Sequence, residues 1–119
     1  MTEINKGEIK IKEYNRGEIY LCKLDENNYR PCVINSYKQA YGKVNVYFLM
    51  TRKISTLGYY TLQGNYNGTI DNNTVNCAAP ETISIAQLEN YITTLTDSDM
   101  KNVNKEWAKT VGIEKCSFQ

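Results

Sequence analysis

The sequence predicts a small α+β protein dominated by β-strands, with a short helix and a C-terminal helix attached to a strongly bent antiparallel sheet or small barrel. The 119 residues are enough for one domain with its own core. Ten tyrosines against two phenylalanines and one tryptophan favour half-buried strands, because a tyrosine ring can pack while its hydroxyl reaches water. Short apolar runs precede a single helical pattern near the C-terminus.

The first three strands have the clearest signals. A half-buried pattern predicts the first strand over residues 18–24, and a polar connector follows over 25–29. The second strand is expected over residues 30–36, because Pro31 lacks an N–H and belongs among a strand's first residues. After a turn, residues 44–51 form the most apolar segment, and its alternate side chains define two faces of a central third strand.

The middle of the chain has weaker signals. Residues 58–76 contain a further strand and turn-forming glycines and asparagines, and residues 75–83 suggest another strand broken by Pro80. Ser84 is positioned to cap a short helix over residues 85–90, which leads to an extended piece over 91–95. These elements complete the predicted sheet.

The last element is a helix that begins after Thr96, a candidate N-cap. Asp97 and Asp99 lie in its first turn, where a carboxylate opposes the positive end of the helix dipole, and Gly112 is a plausible stop. The apolar stripe consists of Met100, Val103, Trp107 and Val111. We interpret the helix as a lid over the sheet rather than as a groove for a partner.

Composition excludes several kinds of site. The chain has no histidine, and its four cysteines are irregularly spaced without a C-x-x-C pair, so no zinc site, disulfide framework or cofactor is expected. No apolar run is long enough to cross a bilayer and the N-terminus lacks an apolar leader, so a cytoplasmic protein without a membrane contact is expected.

The two halves of the chain differ in charge. Residues 1–59 carry a charge of +4 and residues 60–119 carry −3. This asymmetry is weak support for a phosphate-facing surface.

Arg30, which stands directly before Pro31, is the first candidate for a functional group. If strands 30–36 and 44–51 form a hairpin, residues that face each other have numbers that sum to 80 or 81. A sum of 81 places Arg30 directly opposite Thr51, whereas a sum of 80 sends the two to opposite faces. The sequence leaves this choice open. Arg30 could also be a solvated charge at a strand end.

A guanidinium next to a hydroxyl, with Arg52 and Lys53 adjacent, suits a phosphate ligand. Arginine presents a planar set of donors that matches phosphate oxygens, and it stabilises charge that develops on phosphorus. RNA supplies its own nucleophile, the 2′-hydroxyl, so that neither a metal ion nor a protein nucleophile is required.

Five segments stand out along the chain: "RGEIYLCKL", "RPCVI", "VNVYFLMT", "VNCAAPETISIAQL" and "LTDSDMKNVNKEW...VGI". In this order and spacing, over residues 16–113, they resemble the MazF/PemK (also called Kid) toxins of type II toxin–antitoxin systems. The resemblance implies an SH3-like barrel formed by residues 16–119 as a single domain. Residues 1–15 are then an N-terminal extension or an edge strand.

The resemblance also implies a function. Such a toxin is a homodimer that cleaves single-stranded RNA at short sequences without a metal ion, leaves a 2′,3′-cyclic phosphate and a 5′-hydroxyl, and is neutralised by a cognate antitoxin. The family's catalytic arginine and hydroxyl correspond to Arg30, as acid/base and charge stabiliser, and Thr51, as the group that binds the scissile phosphate. The lesser candidates for substrate binding are Asn28, Tyr29, Arg52 and Lys53.

Besides the extension over residues 1–15, the sequence departs from the family in two places. The connector over residues 25–29 is short, and Glu81 stands where relatives often have a basic residue. Two other functions stay open. The chain could be a catalytically silent binding or regulatory module of the same fold, including a poison of a protein target, or Cys32 or Cys77 could act as a nucleophile.

Overall fold

The computed structural model of the chain describes residues 13–38 and 41–112. Its elements in chain order are β1 (Glu18–Asp25), β2 (Asn28–Lys38), β3 (Lys43–Met50), β4 (Tyr59–Thr61), β5 (Thr74–Asn76), β6 (Glu81–Ser84), a 3₁₀ helix (Ile85–Gln87), β7 (Leu88–Thr94) and α1 (Asp97–Thr110). Neither helix within the described ranges is long and apolar enough to cross a membrane.

The strands form one antiparallel sheet in the order β4-β5-β3-β2-β1-β7, and β6 pairs with β3 as well. A strand-dominated sheet with one C-terminal helix confirms the predicted fold class. Residues 1–12 of the predicted N-terminal extension lie outside the described residues.

The β1–β2 hairpin is tighter than the sequence predicts. Its turn uses only Glu26 and Asn27, and the Asn27 backbone N–H donates to the Asp25 side chain at 3.2 Å. Because the remaining residues of the predicted connector join the ladder, β2 begins at Asn28 rather than at Arg30.

Strand β3 separates two apolar clusters, as its alternating pattern predicts. One of them, the helix-side cluster, includes Tyr47 and Leu49 of β3 together with Val103 of α1. The other, the far-face cluster, includes Val46 and Phe48 and is completed by β1, β2 and Ile83. Both faces of the central strand are therefore buried, and its apolar side chains stabilise the two sides of the bent sheet.

The segment over residues 75–83 forms two strands, because Pro80 interrupts it. β5 pairs with Leu49 and Met50, whereas β6 pairs with residues 43–46 of the same strand.

The predicted helix over residues 85–90 is wrong beyond Gln87. Ser84 does cap the turn, with reciprocal hydrogen bonds between Ser84 and Gln87, but Leu88 is extended and pairs with Cys22 of β1. The cap therefore closes a single 3₁₀ turn, and pairing with the sheet takes over from local helix propensity.

Helix α1 follows its predicted boundaries. The Thr96 side chain accepts the Asp99 backbone N–H at 3.1 Å, and Gly112 has a φ of +75°, which suits the predicted stop. Val103 is fully buried, and Met100 and Trp107 pack against the helix-side cluster. Val111 is 50% exposed, so the predicted stripe is wrong at that position, where the helix has already ended.

Candidate functional site

The start of β2 and the end of β3 lie at the same end of the sheet. Cys32 pairs with Phe48, so that Arg30 stands two residues before this pair and Thr51 stands three residues after it. The pairs from Cys32 to Ile34 sum to 80, and those from Ser36 onward sum to 81 because of a bulge between them. If the register of the pairs nearest to Arg30, which sum to 80, continues past Cys32, then Arg30 stands opposite Met50. Thr51 is the first residue past β3, in a bend, and its association with Arg30 stays a prediction.

Arg30 is an exposed residue whose guanidinium group is not hydrogen-bonded to any described residue. Its guanidinium carbon lies 5.9 Å from the centroid of the Phe48 ring, which places the cation over the edge of the far-face cluster. Within residues 13–38 and 41–112, the Arg30 side chain forms no hydrogen bond and no ion pair, whereas its backbone pairs with Cys22 of β1. All five N–H donors are therefore available for an incoming anion.

Thr51, Arg52 and Lys53 are all exposed and follow β3 directly. None of their side chains forms a hydrogen bond or an ion pair with another described residue. With Arg30 they place three cations and a hydroxyl at one end of the sheet, which is an arrangement suited to phosphate groups.

Asn28 and Tyr29 are the first residues of β2. Because successive side chains of a strand alternate, Asn28 shares a face with Arg30, whereas Tyr29 points to the opposite face. Tyr29 is 43% exposed and stands opposite Lys23 of β1. The structure thus brings Asn28 together with Arg30, while Tyr29 could reach only a ligand that wraps around the hairpin.

Glu81 is exposed at the start of β6 and stands opposite Val46. Since Val46 lies four residues before the end of β3, Glu81 is set back from the cations that follow Met50. Its carboxylate makes no ion pair among the residues that the structure describes.

Sequence reasoning missed the role of Asp99, which is 1% exposed. Its Oδ1 accepts the Tyr60 hydroxyl at 2.5 Å and the Gln63 N–H at 3.0 Å. Its Oδ2 accepts the Gly64 N–H at 2.9 Å and the Tyr66 hydroxyl at 2.5 Å. Burial alone would raise the pKa of the carboxyl, but these four donors hold the pKa below its usual value. Asp99 therefore anchors α1 to residues 60–66.

A groove of about 670 Å³ lies between α1 and the sheet. Its lining includes Arg16, Lys101, Lys105 and Trp107, and Arg16 donates to the Asn104 side chain at 2.5 Å. None of the six site residues predicted from the sequence lines this groove. No group of three or more metal-binding side chains occurs among the residues described.

The three cysteines that the structure describes do not support a nucleophile. Cys22, Cys32 and Cys77 are free and fully buried, and burial raises the pKa of all three thiols, that of Cys77 to about 12. A protonated thiol inside the core is inert.

We expect Cys22, Cys32 and Cys77 in the native protein to react with iodoacetamide at pH 8 far more slowly than in urea, because the reagent needs an accessible thiolate. Peptide mapping by mass spectrometry measures each site separately. Equal labelling of these peptides in native and unfolded protein would contradict their burial.

A family model described as a PemK-like, MazF-like toxin of type II toxin–antitoxin systems matches residues 15–110. A search of curated proteins gave no match.

Several solved structures share the fold. One is an endoribonuclease in complex with its cognate antitoxin from a mycobacterial species, with 22% identity and a TM-score of 0.69 over 82% of this chain and 94% of that one. The Mycobacterium tuberculosis toxin MazF-mt6 has 18% identity and a TM-score of 0.67 over 81% and 97% of the two chains. A MazE-MazF structure from Deinococcus radiodurans has 12% identity and a TM-score of 0.70 over 83% and 95%.

Proposed function

Because this chain belongs to the PemK-like, MazF-like toxins of type II toxin–antitoxin systems, we propose that it is an endoribonuclease that cleaves single-stranded RNA at short sequences without a metal ion. The observation that carries the proposal is the unengaged guanidinium of Arg30 at the sheet end where Thr51, Arg52 and Lys53 are exposed. Similar folds occur in structures named as endoribonucleases.

The reaction is an intramolecular transesterification. The 2′-oxygen of the RNA attacks the adjacent phosphorus, the bond from phosphorus to the 5′-oxygen breaks, and the proton of the 2′-hydroxyl is balanced by one delivered to the leaving 5′-oxygen. The products are a 2′,3′-cyclic phosphate and a 5′-hydroxyl. The protein has to align the backbone and stabilise the charge that develops on the phosphate oxygens.

Arg30 takes the role of charge stabiliser and acid/base group, because its planar donors can bind two phosphate oxygens at once. Thr51 holds the scissile phosphate through its hydroxyl. Asn28, Arg52 and Lys53 contact the flanking nucleotides, and Tyr29 stacks on an unpaired base where the RNA wraps around the β1–β2 hairpin.

The proposal extends to partners. The chain acts as a homodimer in the cytoplasm, and a cognate antitoxin neutralises it by covering the surface that RNA would occupy. Support comes from the family assignment and from the solved complex of an endoribonuclease with its cognate antitoxin.

The test is incubation of the purified protein with a long single-stranded RNA in EDTA. We expect cuts at a short recurring sequence, with 5′-hydroxyl ends that polynucleotide kinase labels without prior phosphatase treatment. Intact RNA in the presence of folded protein would contradict the proposal and favour a binding module of the same fold.

A further inference from the structure

The loop over residues 51–57, which carries Thr51, Arg52 and Lys53, has little attachment of its own. All of its residues except Ile54 are exposed, and Leu57 is 63% exposed. Its one described backbone contact is local, since the Thr56 carbonyl accepts the Tyr59 N–H at 3.2 Å. The position of the loop therefore depends on how its two ends are held.

Gly58, which ends the loop, is buried and bound on both sides. Its N–H donates to Oε2 of Glu106 in α1 at 2.8 Å. Its carbonyl accepts the N–H groups of Cys77 at 2.7 Å and Ala78 at 3.1 Å. One residue thus connects the loop, the segment before β6 and the helix.

Gly58 also has no room for a side chain. Its φ of +97° is unfavourable for other residues, and an added Cβ would lie 2.7 Å from the Ala78 Cβ and 3.4 Å from a Thr110 methyl group. This close approach brings the backbone of the loop within reach of the Glu106 carboxylate.

Glu106 belongs to a part of α1 that is firmly packed. Its neighbours along the helix, Val103 and Ala108, are 0% and 2% exposed. The Glu106 side chain is 16% exposed, and its second oxygen, Oε1, lies 3.6 Å from the Lys109 ammonium group. A fixed helix therefore supplies the acceptor that holds the end of the loop.

We propose that Glu106 is a positioning residue for RNA cleavage, which acts through the Gly58 N–H to hold the 51–57 loop and its phosphate-binding side chains in place. This inference rests on the proposed function. It adds a group on α1 that does not touch the substrate, because Glu106 reaches the loop only at Gly58. Holding the loop before RNA arrives reduces the ordering cost of the reactive geometry.

The test compares Glu106→Ala with Glu106→Gln, which retains an oxygen that can accept the Gly58 N–H. Glu106→Ala should lower kcat by about tenfold with a smaller change in KM, because positioning errors cost most in the transition state. Glu106→Gln should recover most of this loss. Lys109→Ala is the matched control, since it removes only the exposed ion pair, and its kcat should stay near the wild-type value.

Hydrogen–deuterium exchange provides a readout that does not depend on activity. Exchange of the Gly58 and Tyr59 N–H groups, which donate to Glu106 and to the Thr56 carbonyl, should increase in Glu106→Ala and not in Glu106→Gln or Lys109→Ala, at a temperature where circular dichroism shows all variants folded. Equal kcat values for the wild type and Glu106→Ala, or unchanged exchange at Gly58 and Tyr59, would overturn the inference. Wild-type protein that leaves RNA intact would overturn the proposed function instead, and exchange would still decide whether Glu106 holds the loop.

Discussion

Replacing Arg30 with alanine is expected to lower kcat for RNA cleavage by at least about 10²-fold, because the substitution removes the donors that would stabilise charge on the phosphate. The fold should persist. Arg30 is exposed and its guanidinium lies over the Phe48 ring without a side-chain hydrogen bond to a described residue, so the free energy of unfolding should change by less than about 1 kcal/mol. Single-turnover cleavage of a labelled oligonucleotide and urea unfolding measure the two quantities.

Arg30→Lys separates charge from geometry. Lysine keeps the positive charge but loses the planar pair of donors, so its kcat should fall between those of the wild type and Arg30→Ala. Lys101→Ala removes an exposed cation on α1 and should leave cleavage unchanged. Undiminished cleavage by Arg30→Ala would show that another group carries the chemistry.

Asp99→Ala is expected to cause a large loss of stability, about 3 kcal/mol or more. The substitution leaves two tyrosine hydroxyls and the N–H groups of Gln63 and Gly64 without the acceptor that they share. Since the free energy of unfolding of natural domains is only about 5–15 kcal/mol, the substitution would remove a large part of it. Equilibrium unfolding in urea gives the difference in free energy.

Asp97→Ala is the matched control for Asp99→Ala. Both carboxylates lie in the first turn of α1, but Asp97 is exposed and accepts no hydrogen bond from a described residue. Its loss should cost less than about 1 kcal/mol, the usual size of a helix-dipole interaction. Equal losses for the two variants would mean that the dipole, rather than the buried hydrogen bonds, is what matters at Asp99.

The lowered pKa of Asp99 also predicts a dependence on pH. A carboxyl group whose pKa is lower in the folded state stabilises that state fully above the pKa of the unfolded chain, about 3.9. The contribution should be lost as pH falls from there through the folded pKa. The stability difference between the wild type and Asp99→Asn should therefore shrink in this acidic range, and a constant difference down to pH 2 would contradict the shift.

Local signals account for the parts of the fold that the sequence predicts. The alternation in β3 and the caps at Thr96 and Gly112 depend on neighbouring residues, and each appears in the structure where it is expected. The prediction of a helix beyond Gln87 was wrong because Leu88 pairs with Cys22 of β1 as a strand residue. This pairing is a contact between distant parts of the chain.

Long-range contacts also explain what the sequence could not reveal about the site. Asp97 and Asp99 are the same residue type and both lie in the first turn of α1, and the approach of residues 60–66 is what buries the Asp99 carboxylate. Likewise, nothing near Gly58 in the sequence indicates its bond to Glu106. Arg30 could be selected because Pro31 belongs among the first residues of a strand, although β2 begins two residues earlier, at Asn28. The pairing register of β2 with β3 depends on a bulge near Ser36 that the sequence did not specify.

The most direct measurement of the central claim uses the RNA itself. Once a cleavage site is mapped in EDTA, one oligonucleotide is prepared with a single 2′-deoxy nucleotide on the 5′ side of the scissile bond, beside its all-ribose counterpart. If the 2′-hydroxyl is the nucleophile, the ribose strand is cut to a 2′,3′-cyclic phosphate and the substituted strand stays intact while still binding the protein. Cleavage of the substituted strand at the same bond would contradict the mechanism.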